Sequence, residues 1–299
     1  MSNPLLSLLD LWSRRYVSRI NPPAKPVTTA DTVITGASEG IGLALAHRFA
    51  AGGHTVVLVA RNAAKLQAGA EAIKRETGRD AVALVIDVND AGSGLAIDAA
   101  LHERGLHADI FINNAGFGLS GEFASQPPAD IDALVSCNIS ALTRLSRHFL
   151  PGMLARGTGG LINVASLAGL TPGAYQAAYY ASKAYVVSLT RAIAYETGGA
   201  GVRVCVVTPG PVETGFHARM NADTSFYRRL VPSPTAQAVA AATFRGYRWH
   251  RRVVAPGIGA TILSAALRIT PAFLVIPATA WMLYPRVGAS EQVKSKKVK

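Results

Sequence analysis

Between about residues 30 and 257 the chain alternates short, almost unbroken apolar runs with longer stretches whose apolar positions recur at helical spacing. The runs are 31–35, 54–60 (HTVVLVA), 81–86 (AVALVI), 108–112 (ADIFI), 160–165 (GLINVA), 202–207 (VRVCVV) and 252–255 (RVVA). Short β-rich runs that stay apolar at both alternating positions are strands with both faces covered, as in a parallel sheet. The helical stretches lie near 41–52, 62–77, 129–155, 177–197 and 235–249. Regular alternation of this kind predicts an α/β fold with a doubly wound parallel sheet and right-handed crossovers, a single domain over 30–257.

Both ends depart from that pattern. Residues 4–20 place Leu5, Leu8, Leu9, Trp12, Tyr16 and Ile20 along one helical face, with Arg14, Arg15 and Arg19 available to the other. Asp10 and the arginines interrupt this stretch too early for a secretory signal. Residues 1–29 are therefore an amphipathic helix followed by a linker, NPPAKP at 21–26. Residues 258–299 form an apolar C-terminal extension with a basic tail; its longest uncharged piece, 269–285, has seventeen residues and contains Pro271 and Pro277. That is short for a bilayer core of about 30 Å, and two internal prolines disfavour a straight span. The expectation is a segment lying in a membrane interface, with Trp281 and Tyr284 at headgroup level; the competing reading is a helix pair packed on the core or on a second copy.

Charge sharpens this picture. Residues 1–200 carry 16 Lys/Arg against 15 Asp/Glu, whereas residues 201–299 carry 14 against 3. The basic residues flank apolar segments, which favours an anionic membrane surface, and no nucleic-acid-binding motif accompanies them. Two cysteines, Cys137 and Cys205, imply no disulfide framework and a reducing compartment. The histidines are scattered, and no metal site is expected.

The candidate chemistry begins at TGASEGIG, residues 35–42, between the first strand and the first helix. Gly36 allows a tight exit from the strand, Gly40 lets backbone approach a pyrophosphate, and Gly42 lets the helix pack close to the sheet. Ser38, Glu39 and Ile41 complete the turn, whose helix N-terminus offers N–H groups to phosphates. The second strand ends in Ala60 and Arg61, where an NAD site usually carries an acid; a guanidinium there suits a 2′-phosphate, so NADP(H) is the expected cofactor. Asp87, followed by Val88, is placed either to bond adenine edge groups or to form a turn. Asn114, Ala115 and Gly116 close the fourth strand, with a glycine where backbone passes near the cofactor. Tyr179 and Lys183, at i and i+4, face the same way on a helix, where an ammonium lowers a phenol's pKa toward working pH. Ser166, ending the fifth strand, is a second donor to a substrate oxygen. Tyr175 and Tyr180 lack a lysine four residues on and are expected to be pocket or packing aromatics.

TGASEGIG, NNAG (113–116), Asn138 in CNIS, Ser166, YYASK (179–183) and PGPVET (209–214) stand here in an order that resembles the short-chain dehydrogenase/reductase family, over roughly residues 30–257. The resemblance implies a Rossmann fold in which Tyr179 exchanges a proton with the substrate oxygen. It implies further that Lys183 lowers the phenol's pKa and holds the nicotinamide ribose, Ser166 orients the carbonyl and Asn138 supports a water-linked proton relay. Pro209, Gly210, Val212 and Thr214 would line the nicotinamide. The expected function is an NADP(H)-dependent oxidoreductase moving a hydride between nicotinamide and an apolar or lipid-like ketone or secondary alcohol, cytoplasmic and peripheral at the membrane. Its expected partners are that substrate, an anionic membrane surface and further copies of itself. Two alternatives stand beside it: a soluble reductase of a small polar carbonyl whose tail makes a subunit interface, and a catalytically silent dinucleotide-binding scaffold. Specificity is expected in the loop 215–234, with Phe216, His217, Met220 and Phe226, and in the C-terminal segment.

Overall fold

A computed structural model describes residues 30–216, 220 and 233–284; the amphipathic N-terminal stretch, His217, Phe226 and the basic tail lie outside the described residues. The seven apolar runs become seven parallel strands: β1 Asp31–Thr35, β2 Thr55–Ala60, β3 Ala81–Val85, β4 Ile110–Asn113, β5 Gly159–Val164, β6 Val202–Val207 and β7 Val253–Val254. They pair in the order β3-β2-β1-β4-β5-β6-β7, with Val33 opposite both Val57 and Phe111. Because strand side chains alternate between faces, each strand feeds two cores. Ile34, Leu58 and Ile112 pack on one side with Leu45, Phe49 and Phe244. Val33, Val57 and Phe111 pack on the other with Leu145, Phe149 and Leu161. The Phe111 and Phe149 rings stack at 4.1 Å.

The covering helices are α1 Gly40–Ala51, α2 Ala63–Thr77, α3 Ser93–His102, α4 Pro128–Val135, α5 Leu142–Arg156, α6 Ala177–Glu196 and α7 Ala236–Arg248. Helix α3 is absent from the sequence expectation. Its segment opens Gly92-Ser93-Gly94, which reads as a loop, and Leu95 on it is exposed. A Cβ on Gly94 would stand 2.8 Å from the His148 ring, so this helix accepts a poor helix former in exchange for close approach to α5. The single helix expected over 129–155 is three pieces, α4 and α5 joined by a π-helical turn at Ser136–Ala141. Such turns displace the residues after them and occur at functional sites; this one carries Asn138.

The C-terminal apolar segment is two helices, α8 Ile258–Ile269 and α9 Ala272–Leu283, joined at Thr270-Pro271. Among the described residues no helix is long and apolar enough to cross a membrane. Val275 and Leu283 are buried, whereas Ile262, Phe273, Leu274, Ile276, Trp281 and Tyr284 are exposed.

Candidate active site

The strand order reverses between β1 and β4, and at that point the exits of the two strands are laced together. The Thr35 hydroxyl oxygen accepts from the backbone N–H of Asn114 (3.0 Å) and of Ala115 (3.1 Å), while Asn114 Nδ2 donates to Thr35 O at 2.9 Å and Gly36 O at 3.2 Å. Gly36 sits at φ +63°, and a Cβ there would meet Ala115 Cα at 2.9 Å, so glycine is required on both counts. A Cβ on Gly42 would fall 2.3 Å from Gly36 O, which accounts for close seating of α1 on the turn. No side chain caps the N-terminus of α1 and no acid occupies its first turn. Its leading N–H groups and the positive end of its dipole are thus available to an anion.

A cleft of about 1720 Å³ runs along the carboxyl edge of the sheet, where doubly wound folds bind ligands. Gly36, Ser38, Glu39, Gly40, Ile41, Arg61, Asp87, Val88, Asn114, Ala115, Gly116, Ser166, Tyr179, Lys183, Pro209, Gly210, Val212 and Thr214 all line it. Gly42 and Asn138 do not; both act from behind its wall. At the β2 end, Arg61 is 78% exposed and its Nη1 lies 3.7 Å from Asp87 Oδ2. Asp87 Oδ1 accepts from the Asn89 backbone N–H at 2.9 Å, which is the turn role weighed for it. Lys65, unanticipated from sequence, also lines the cleft and pairs with Glu39. Asn62 caps α2, its Oδ1 accepting from Lys65 N at 2.9 Å, and so sets where Lys65 stands.

At the other end, Tyr179 and Lys183 project from α6 as their spacing requires. Burial pushes the Tyr179 phenol up to about 12, partly offset by the neighbouring Ser166 hydroxyl. Burial brings the Lys183 ammonium down to about 8, with Cys137 opposing. The expected lowering of the phenol by Lys183 is therefore not what governs here. Lys183 Nζ donates to Val164 O at 3.1 Å and stands 5.9 Å from the Tyr179 ring centroid, and desolvation outweighs it. At neutral pH this leaves Tyr179 protonated, ready to give a proton to a carbonyl oxygen, and Lys183 mostly charged. Ser166 Oγ accepts from Ala168 N (3.1 Å), which fixes the hydroxyl on the strand exit.

Asn138 is 1% exposed, and its amide is committed within the protein. Oδ1 accepts from Phe117 N at 3.1 Å; Nδ2 donates to Phe117 O at 2.8 Å and to Ser182 Oγ at 3.1 Å. Ser182 in turn donates to Tyr179 O at 2.7 Å. Asn138 thus clamps the β4 exit loop to the helix that carries Tyr179. Beneath it, Asn113 Nδ2 donates to Asn163 Oδ1 (2.9 Å) and Ser146 Oγ (3.0 Å), and Asn163 Nδ2 donates to Thr190 Oγ1 (2.9 Å). This buried chain of amides and hydroxyls ties β4 and β5 to α5 and α6.

The distal part of the cleft is apolar. Phe216 packs 5.7 Å from the Tyr179 ring, and Met220 is buried beside it. Helices α8 and α9 supply a wall that includes Leu263, Leu267, Leu274, Val275 and Met282. Among the described residues Asp31, His107 and Asp109 could together offer ligand atoms to a metal. They lie away from the cleft and are already used at the strand starts, where Asp109 Oδ2 accepts from Asp31 N at 3.1 Å.

A glycine-lined turn, an uncapped helix N-terminus and a Ser–Tyr–Lys set on one continuous cleft define a dinucleotide-dependent oxidoreductase. The sequence matches the short chain dehydrogenase family over residues 31–225, and the chain belongs to that family. Membership brings oxidoreduction at carbonyl and alcohol groups with a nicotinamide cofactor. The ketoacyl reductase HetN of Nostoc sp. is 36% identical over 191 residues, 64% of this chain and 66% of that protein. A short-chain dehydrogenase from Sphingobium yanoikuyae, solved in complex with NADPH, is 32% identical with a TM-score of 0.72, covering 80% of this chain and 91% of that one. The bulky-bulky ketone specific alcohol dehydrogenase from Comamonas testosteroni is 28% identical with a TM-score of 0.68, covering 80% and 92%.

Proposed function

We propose that this protein is an NADP(H)-dependent reductase or dehydrogenase of an apolar ketone or secondary alcohol. The observation that carries the reading is the continuity of the cleft, from Arg61 and Lys65 at one end, past Tyr179, to the apolar wall of α8 and α9 at the other. Ala60 stands where an acid would repel a 2′-phosphate, and Arg61 offers that group a charge-assisted fork. The glycine turn and α1 would hold the pyrophosphate, and Pro209, Gly210, Val212 and Thr214 the nicotinamide end. NADPH, when bound, supplies the hydride. Tyr179 gives its proton to the carbonyl oxygen, Ser166 donates a second hydrogen bond to that oxygen, and the Lys183 ammonium stabilises the phenolate left behind. Asn138 acts as a positioning residue, through Phe117 and Ser182. The Sphingobium structure with NADPH and the Comamonas enzyme's bulky ketones support this choice of cofactor and substrate.

The test is a comparison of NADPH and NADH binding in wild type and Arg61→Ala. NADPH binding should weaken by roughly 1.5–3 kcal/mol, the range for a hydrogen bond to a charged group, with NADH little changed. Equal affinity for the two cofactors in the wild type would refute the assignment.

The exposed apolar residues of α8 and α9 favour a second element of the reading, contact with an anionic lipid surface. Phe273 is 73% exposed and Ile262 66%, and residues 285–299, which follow α9, carry five Lys/Arg against one Glu. Two such tails brought together in a self-interface would repel, whereas anionic lipid attracts them at about 1 kcal/mol per basic residue. Co-sedimentation with anionic vesicles at low salt, lost on deleting 258–299, is the expected result; full-length protein left in the supernatant would point to a second copy instead.

A further inference from the structure

Arg144, on α5, stands behind the loop that leaves β3. Its Nη2 donates to Asn89 O at 2.9 Å, to Val88 O at 3.2 Å and to Asp90 O at 3.4 Å, so one nitrogen serves three successive carbonyls. Arg144 is half-buried and forms no ion pair with a described residue; the loop's carbonyls are what its charge meets. It does not itself line the cleft, whereas Asp87, Val88 and Asn89 all do. Ser136 Oγ, on the π-helical turn, donates to Asn89 Oδ1 at 3.4 Å and ties the same loop. One short segment, 136–144, thereby braces both exit loops, since Asn138 holds the one after β4.

A trans peptide is planar, with its C=O and N–H pointing in opposite directions. The Val88–Asn89 peptide gives its oxygen to Arg144 and its N–H to Asp87 Oδ1 at 2.9 Å. The Asn89–Asp90 peptide gives its oxygen to Arg144 and its N–H to Asp87 O at 3.2 Å. Arg144 thus holds one side of the two peptides that hold Asp87 on the other. The second oxygen of that carboxylate lies 3.7 Å from Arg61 Nη1. The N–H of Val88 bonds to none of the described residues. A carboxylate that accepts, followed by an N–H left to donate, suits the edge of adenine, where an amino group lies beside a ring nitrogen.

We propose that Arg144 is a positioning residue for the adenosine end of the cofactor. From behind the cleft it fixes the Asp87 carboxylate and the Val88 N–H through the peptides of Val88, Asn89 and Asp90. Arg144 makes no hydrogen bond to the β4 exit loop, to Tyr179 or to Lys183, so the nicotinamide end does not depend on it. This rests on the reading that places the cofactor's adenosine end beside Arg61 and Asp87.

Fragments of the cofactor separate its two ends: 5′-AMP and 2′,5′-ADP for the adenosine end, and reduced nicotinamide mononucleotide for the other, each titrated by calorimetry. In Arg144→Met both adenosine fragments should bind about tenfold more weakly, the scale of one hydrogen bond to a charged group, with the nicotinamide fragment within about twofold of wild type. Arg144→Lys keeps a cation with three donors and should recover most of the loss. Amide exchange at Asn89 and Asp90 should quicken in Arg144→Met while that at Phe117 stays as in wild type. Ser136→Ala, a milder change for the case in which Arg144→Met does not fold, removes only the bond to Asn89 Oδ1. It should weaken 5′-AMP by about twofold, the low end for a neutral hydrogen bond, and leave the nicotinamide fragment unchanged. A field effect of the lost charge, or a general loosening, would weaken the nicotinamide fragment, which also carries a phosphate, as much as 5′-AMP. That result, or 5′-AMP affinity unchanged in the variants, would overturn the proposal. Wild type that binds 5′-AMP and 2′,5′-ADP equally well would overturn the NADP(H) preference and leave the Arg144 clamp standing, because both fragments share the adenine.

Discussion

Replacing Asn138 with Leu tests whether the β4 exit loop is held in place from behind the cleft. The leucine keeps similar bulk and removes three hydrogen bonds, two to the backbone of Phe117 and one to Ser182. Ser182 keeps its bond to Tyr179 O, so the groups left wanting are the N–H and C=O of Phe117. A buried polar group without a partner costs about 1–3 kcal/mol, which for two sets the loss at about 2–6 kcal/mol. Phe117 is only half-buried, so water reaches part of it and the lower half of that range applies, about 2–4 kcal/mol. Space is also short, since a Cβ on Gly116 would already lie 2.9 Å from Asn138 Oδ1. Urea unfolding gives the stability change, and hydrogen exchange at the Phe117 amide reports the loop directly. Loosening Phe117 also disturbs its packing beside Tyr179, so turnover should fall by about tenfold or more, as misplacement of groups near the chemistry does. Ser182→Ala removes the bond from Asn138 and the one to Tyr179 O, whose carbonyl stays in the helix ladder, and should cost about 1–2 kcal/mol. If Asn138→Leu stayed within about 0.5 kcal/mol of wild type, a neutral surface change, with Phe117 protection intact, the clamp would be wrong.

Tyr179→Phe keeps the ring and removes the proton donor, so turnover should drop by at least about 10²-fold with NADPH binding retained; an equal loss in Tyr180→Phe would mean the wrong phenol was chosen. Lys183 has a folded pKa brought down to about 8 from 10.5, so below pH 8 the fold bears a buried charge that the unfolded chain does not. Cofactor-free Lys183→Met should then be more stable than wild type at pH 7 by roughly 3 kcal/mol. That advantage should shrink as pH rises from 8 toward 10, where the unfolded chain binds more protons than the folded one; a gap constant with pH would refute it. Gly42→Ala forces backbone apart at Gly36 and should weaken NADPH binding by about tenfold or more alongside a stability loss of about 1–3 kcal/mol, the usual overpacking cost; unchanged binding would show that the turn tolerates a wider seat.

What was legible in the sequence is what one short segment dictates by itself. Seven apolar runs of strand length gave seven strands, because burial on both faces leaves no polar alternation to confuse the period. Gly36 and Gly40 are readable because the turn takes positive φ at both, and Gly42 because its helix seats against Gly36 O, six residues away. Helix α3 escaped because the contact that justifies Gly94 lies on His148, fifty-four positions away. Lys65 and Asn62 were missed because their role depends on where α2 begins relative to Glu39.

The Tyr179–Lys183 pair marks the boundary of that legibility. Spacing at i and i+4 fixes the face of the helix both residues share, but not the partner each one finds. Lys183 bonds to Val164 O, and burial decides the phenol's pKa. Asn138 and Gln176 carry the point further, since one amide is saturated by protein partners and the other has an Nε2 with none. Nothing in CNIS or AYQAAYY separates them, because the difference lies in Phe117, Ser182 and the segment 172–175, which Tyr284 and Thr279 contact. Thr279 and Pro172 are 107 residues apart, so the segment ahead of Tyr179 is held by a helix from the far end of the described chain. Reaction class is thus written in local backbone geometry, while the distal wall of the cleft is built by contacts between distant segments. That is the physical reason the first could be read from the chain and the second required the fold.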